Sequence, residues 1–89
     1  MDYKIIHQPE QKLFKTEVDG RTAFVEYRLL GDSLDIIHTI VPPPIEGCGI
    51  AAALVKATYE FALQTGLKPK ATCSYAVKWL ERHPEYSSL

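Results

Sequence analysis

Between Val41 and Ala52 the chain reads Val41-Pro42-Pro43-Pro44-Ile45-Glu46-Gly47-Cys48-Gly49-Ile50-Ala51-Ala52, an apolar β-branched run that passes through two closely spaced glycines into an amphipathic segment. Glycines let a backbone approach a ligand with no Cβ in the way, and the first amides of a following helix point outward unpaired. A helix N-terminus carries roughly half a positive charge, so such a turn can hold a pyrophosphate without a lysine. Gly47-Cys48-Gly49-Ile50-Ala51-Ala52 also fits G-x-G-x-x-A, one form of the dinucleotide fingerprint. The context opposes that fit: hairpin strands precede the turn, and positions 67–72 offer no acid for a ribose. A nucleotide-triphosphate loop is excluded because the chain has no Gly-Lys-Ser or Gly-Lys-Thr. A tight strand-to-helix connection that binds nothing is the competing reading.

The other reactive side chains are Cys48, Cys73 and the histidines. With no C-x-x-C, and with His38, Cys48, Cys73 and His83 spaced unlike paired zinc ligands, no metal site is expected. His38 falls in phase with Leu34, Ile36 and Ile40, which reads as a buried, hydrogen-bonded histidine or as a proton acceptor.

The elements that must carry these groups are legible from periodicity. Residues 11–18 and 21–29 flank Asp19-Gly20, the signature of a two-residue hairpin turn. Residues 34–41, apolar on both faces, read as a central strand that the prolines at 42–44 terminate. Ile50, Leu54, Ala57 and Phe61, widened by Ala51, Val55 and Ala62, predict a helix over 49–65, stopped at Gly66. A short strand over 69–74 and a short helix over 75–82 follow, giving the order β-β-β-β-α-β-α of an α+β domain. Trp79, Tyr75 and Leu80 read as packing.

The chain has 89 residues, enough for one domain spanning 1–89. Ten basic against eleven acidic residues give a net charge of −1, so no bulk positive field exists to collect nucleic acid or an anionic membrane. The chain shows neither an apolar run of roughly 18 residues nor a signal-peptide pattern at Met1-Asp2-Tyr3-Lys4, and a cytoplasmic location is expected.

Four ordered blocks, His38-Thr39-Ile40-Val41-Pro42, Gly47 to Ala51 with Leu54-Val55, Cys73-Ser74-Tyr75-Ala76-Val77 and Arg82-His83-Pro84-Glu85-Tyr86, resemble the short single-domain N-acetyltransferases of the GNAT superfamily, of the YjdJ type. The resemblance implies a truncated GNAT acetyltransferase fold: an antiparallel β-meander, a helix, a short splayed strand and a short C-terminal helix. It places acetyl-coenzyme A (acetyl-CoA) where the strands of residues 34–41 and 69–74 part. Ile40 and Val41 would pair with the pantetheine arm as an added strand would. Gly47, Cys48, Gly49, Ile50 and Ala51 would cradle the pyrophosphate, with Ser74 a further cofactor-binding position. Cys73 would face the thioester, as a nucleophile or as a group that orients it and protonates the departing thiolate. His38 would take a proton from the incoming primary amine or pair with the thiol.

The chain departs from the larger members by carrying Pro44 where they have Gln or Arg, and Glu46 adds negative charge beside the glycines. Lys56, Lys68, Lys70, Lys78 and Arg82 could flank a 3′-phosphate or form solvated surface. The function implied is acetyl transfer to an amine of unassigned identity; the alternative is an acyl-CoA-binding or protein-interaction module with little or no catalysis.

Overall fold

The computed structural model describes residues 3–86. Strands β1 (Ile6–Gln8), β2 (Leu13–Val18), β3 (Arg21–Leu30) and β4 (Ser33–Ile40) form an antiparallel meander. Helix α1 (Ile50–Gln64) then crosses over to β5 (Lys68–Ala71), and helix α2 (Ser74–Arg82) follows. The sheet order is β1-β2-β3-β4-β5, with β5 parallel to β4, as a helical crossover requires. The predicted element order is therefore the observed one. Asp19 and Gly20 both take positive φ (52° and 74°), the twist a two-residue hairpin needs, and pin the register Val18↔Arg21.

α1 lies on one sheet face, where Val25, Tyr27, Leu34 and Ile36 meet Leu54 and Val55 in the core. Its buried side is broader than the apolar stripe predicts, since Thr58 and Tyr59 are fully buried while Ala57 and Phe61 sit at its margin. Thr58 can be buried because its hydroxyl donates to the Leu54 carbonyl one turn back (2.8 Å), and Tyr59 because its hydroxyl donates to the Lys70 carbonyl on β5 (2.5 Å).

Two local departures shape the region beside the glycine turn. Tyr27 opposes Ile36 and Glu26 opposes His38, leaving Ile37 as the extra residue of a β-bulge. The bulge reverses the inside-outside phase of β4. Ile36 is buried and His38 and Ile40 are exposed, whereas Thr39, opposite the buried Val25, turns toward the α1 side. His38 thus does not share the buried phase of Leu34 and Ile36. The second departure is at β5, which ends at Ala71 rather than at Ser74. The amides of Thr72 and Cys73 both reach the Ile36 carbonyl (3.0 Å each), and the chain turns into α2. Because the β4–β5 ladder stops at Ile36↔Ala71 while β4 runs on beside β3 to Ile40, the two strands part at residues 37–40.

Candidate functional site: a cleft at the parting of two strands

A cleft of about 490 Å³ opens at this parting. Thr39, Ile40 and Val41 form one wall, the turn from Ile45 to Ile50 the floor, and Ala51, Ala52 and Tyr75 the helical side. Pro43–Ile45 makes a single 3₁₀ turn that buries Ile45 and delivers the chain to the glycines.

Gly47 (φ 82°) and Gly49 (φ 77°) occupy the left-handed region, which only glycine enters without strain, and a Cβ built on either meets nothing within 4 Å. Gly49 is also the N-cap of α1 and has no side chain to satisfy the helix's first amides; no acidic side chain stands in the first turn. The turn therefore offers uncapped amides, the positive end of a fifteen-residue helix and free space above them. Those features fit an anionic pyrophosphate. Glu46 lies exposed at the rim, and the Tyr3 hydroxyl donates to the Cys48 carbonyl, tying the N-terminal segment to the turn.

Of the positions assigned to the cofactor from the sequence, Ile40, Val41, Gly47, Gly49, Ile50 and Ala51 line this cleft. Cys48 lies exposed in the turn with its thiol toward the Glu46 carbonyl (3.9 Å), and Ser74 is the exposed first residue of α2. Tyr75 takes the place beside the cleft instead. Read from sequence as packing, it is 40% exposed, because the buried side of α2 runs through Ala76 and Trp79 and leaves Tyr75 off that line.

Cys73 is the N-cap of α2, half-buried, with its thiol 3.4 Å from the Thr39 hydroxyl. Burial pushes the thiol up. The Thr39 hydroxyl and the amides of Ala76, Tyr75 and Thr39 favour the thiolate and outweigh burial, so Cys73 titrates below the ordinary thiol value. Its side-chain partner is Thr39, the residue the bulge turns inward, and not His38. His38 stands exposed on the sheet face away from α1, beside Glu26. His83 stacks on Trp79 (ring centroids 3.9 Å, 17°), and its Nδ1 lies 2.8 Å from the Trp79 carbonyl oxygen. Among the described residues no three His, Cys, Asp or Glu side chains gather to hold a metal ion.

A second cleft of about 460 Å³ shares Ala52 and Tyr75 with the first and continues between α1 and α2. Lys56, Lys78 and Arg82 line it with Trp79 and His83. Three of the scattered basic residues are thus gathered by the packing of two helices; Lys68 instead pairs with Asp32 across 3.3 Å.

Residues 13–89 match the family described as GCN5-related N-acetyl-transferase. Relatives named Protein NATD1 are 31% identical in Xenopus tropicalis and in Homo sapiens, over 84 residues covering 91% of this chain and 77% and 74% of theirs. The Danio rerio protein of the same name is 31% identical over 88 residues, covering 93% of this chain and 80% of its own. The NMR solution structure of a GCN5-like candidate N-acetyltransferase from Staphylococcus aureus superposes with a TM-score of 0.74 at 30% identity, covering 94% of this chain and 83% of that one. The glycine turn, the parted strands and these likenesses agree: the chain belongs to the GCN5-related N-acetyltransferase family.

Proposed function

We propose that this protein moves an acetyl group from acetyl-CoA to a primary amine. The observation that carries the proposal is the cleft at the parting of β4 and β5, which has an uncapped helix N-terminus at one end and, against its Thr39 wall, a thiol of lowered titration. In this reading the main chain of Ile40 and Val41 binds the amide-bearing pantetheine arm. The amides of Gly47, Cys48, Gly49, Ile50 and Ala51 bind the pyrophosphate, and Ser74 adds a hydroxyl at the start of α2. Lys56, Lys78 and Arg82 give the second cleft the charge to receive the phosphorylated nucleotide end.

The bound thioester supplies an acyl carbon activated toward nucleophiles. The stabilised thiolate of Cys73 supports a role as transient acyl acceptor: its sulfur forms the new thioester bond, and the departing coenzyme A thiolate leaves with the electron pair. The amine nitrogen then forms the amide bond to the acetyl carbon of acetylated Cys73, the sulfur leaves with its electron pair, and the proton lost by the amine returns Cys73 to the thiol.

The test follows release of free coenzyme A from acetyl-CoA with and without a panel of primary amines. Amine-dependent release, with an acetyl group on the Cys73 peptide after rapid quench, is the expected result. Saturable binding with neither release nor adduct would favour the acyl-CoA-binding module over the transferase.

A further inference from the structure

Asp35 stands in the middle of β4 with its side chain only 5% exposed. Its Oδ2 accepts from Arg28 Nε (2.9 Å) and from the Thr72 hydroxyl (2.8 Å), while Oδ1, also buried, has no hydrogen-bond partner among the described residues. A carboxylate held this way is costly, and its ion pair is poor compensation because the Arg28 side chain is 52% exposed and screened by water. An apolar side chain in a central strand would serve the sheet as well or better. What it could not do is hold the Thr72 hydroxyl.

Thr72 is exposed, lies beyond the last β4–β5 ladder pair and immediately precedes Cys73. At this corner the backbone is fixed from one side by the Ile36 carbonyl, which takes the amides of Thr72 and Cys73, and through the Thr72 hydroxyl by Asp35. The Val77 amide then closes the first turn of α2 on the Cys73 carbonyl (2.9 Å). We infer that Asp35, acting through Thr72, is a positioning residue that holds the Cys73 thiol against Thr39 and the first amides of α2. The inference deepens the proposed function, but thiol chemistry reads it without acetyl-CoA, so the two can fail separately. The titratable groups that share the thiol's field are the Tyr59 hydroxyl from α1, whose proton is retained by burial first and then by the charges of Asp35 and Cys73, and Asp35 itself from β4.

The experiment measures alkylation of Cys73 against pH by peptide mass spectrometry, which separates it from Cys48. In Thr72→Val, equal in shape but without the hydroxyl, the profile should move to higher pH and alkylation at pH 7 should slow about threefold to tenfold. Asp35→Val also removes a negative charge, which by itself favours the thiolate, so a shift to higher pH in that variant, against the charge effect, is expected and serves should Thr72→Val not fold. Thr72→Ser, which keeps the hydroxyl, should retain the parental profile. A purely structural contact would lower the melting temperature while leaving the profile of the folded protein unmoved. Parental profiles in the folded Val variants, or an equal shift in Thr72→Ser, would overturn the assignment.

Discussion

The Cys73 thiol and the Thr39 hydroxyl, 34 positions apart in the chain, meet at 3.4 Å where β4 and β5 separate. The contact depends on two backbone irregularities at once. The bulge at Ile37 turns Thr39 to the α1 side, and the early end of β5 brings Cys73 to the N-terminus of α2. Replacing Thr39 with valine preserves volume and β-branching but removes the hydroxyl. The Cys73 thiol should then titrate higher, with less thiolate at pH 7, and intact folding shown by circular dichroism would confirm that electrostatics changed rather than structure.

Gly49→Ala should separate stability from binding. A left-handed conformation costs an L-residue about 1–2 kcal/mol, so a denaturant titration should show a loss of that size for Gly49 at φ 77°. If the turn cradles pyrophosphate, acetyl-CoA affinity should fall as well at temperatures where the variant is fully folded, because the new Cβ occupies space that is open in the parent.

Charge in the second cleft should be felt at the nucleotide end of the ligand. Lys78→Gln combined with Arg82→Gln should weaken coenzyme A binding severalfold at low salt, with a smaller effect at high salt as screening grows. Dephospho-coenzyme A, which lacks the 3′-phosphate, should be far less sensitive to the pair. Equal losses for both ligands in calorimetric titration would move the phosphate elsewhere.

His7 links pH to stability through the N-terminal strand. Its ring stacks on Phe14 (4.0 Å, 3°), its Nε2 lies 2.6 Å from the Tyr27 hydroxyl, and burial lowers its pKa. A lowered native pKa means the unfolded chain binds the proton more tightly. This contribution is full above about pH 6.5 and is lost as pH falls through the lower native value. Urea denaturation of the parent and of His7→Phe between pH 5 and 8 should show the parent's extra acid sensitivity disappearing in the variant.

Tyr59→Phe should cost about 0.5–1.5 kcal/mol, the net worth of an ordinary hydrogen bond, because the hydroxyl of the fully buried Tyr59 donates to the Lys70 carbonyl. Thermal denaturation would show the loss. Since Lys70 lies two residues before Thr72, a change in Cys73 alkylation should accompany it.

Local chemistry made much of this architecture legible in the sequence. Asp19-Gly20 specifies its turn because both positions need positive φ, and the shift from period two to period 3.6 after Gly49 marks α1 within one residue at either end. An anion site where Gly47 and Gly49 lead into the helix follows from local chemistry, whereas the roles of Ile40 and Val41 are implied only by the family resemblance. The bulge was not legible: strict alternation along β4 places His38 inside and Thr39 outside, and a single extra residue reverses both. Asp35 resembles an ordinary charge within an apolar run until Thr72 arrives from 37 residues away. Tyr75 and the basic trio of Lys56, Lys78 and Arg82 acquire meaning only from how α1 and α2 pack, which no local window contains.

The most direct test of the central claim, that the cleft between the parted strands and the glycine turn is a coenzyme A site, is a thermal-shift comparison of acetyl-CoA, free coenzyme A and NAD. A ligand that binds only the folded state raises the melting temperature by mass action, the more so the further its concentration exceeds its Kd. The expected result is stabilisation by both coenzyme A species, none by NAD, and loss of the effect in Gly49→Ala. Stabilisation by NAD alone, or by none of the three, would contradict it.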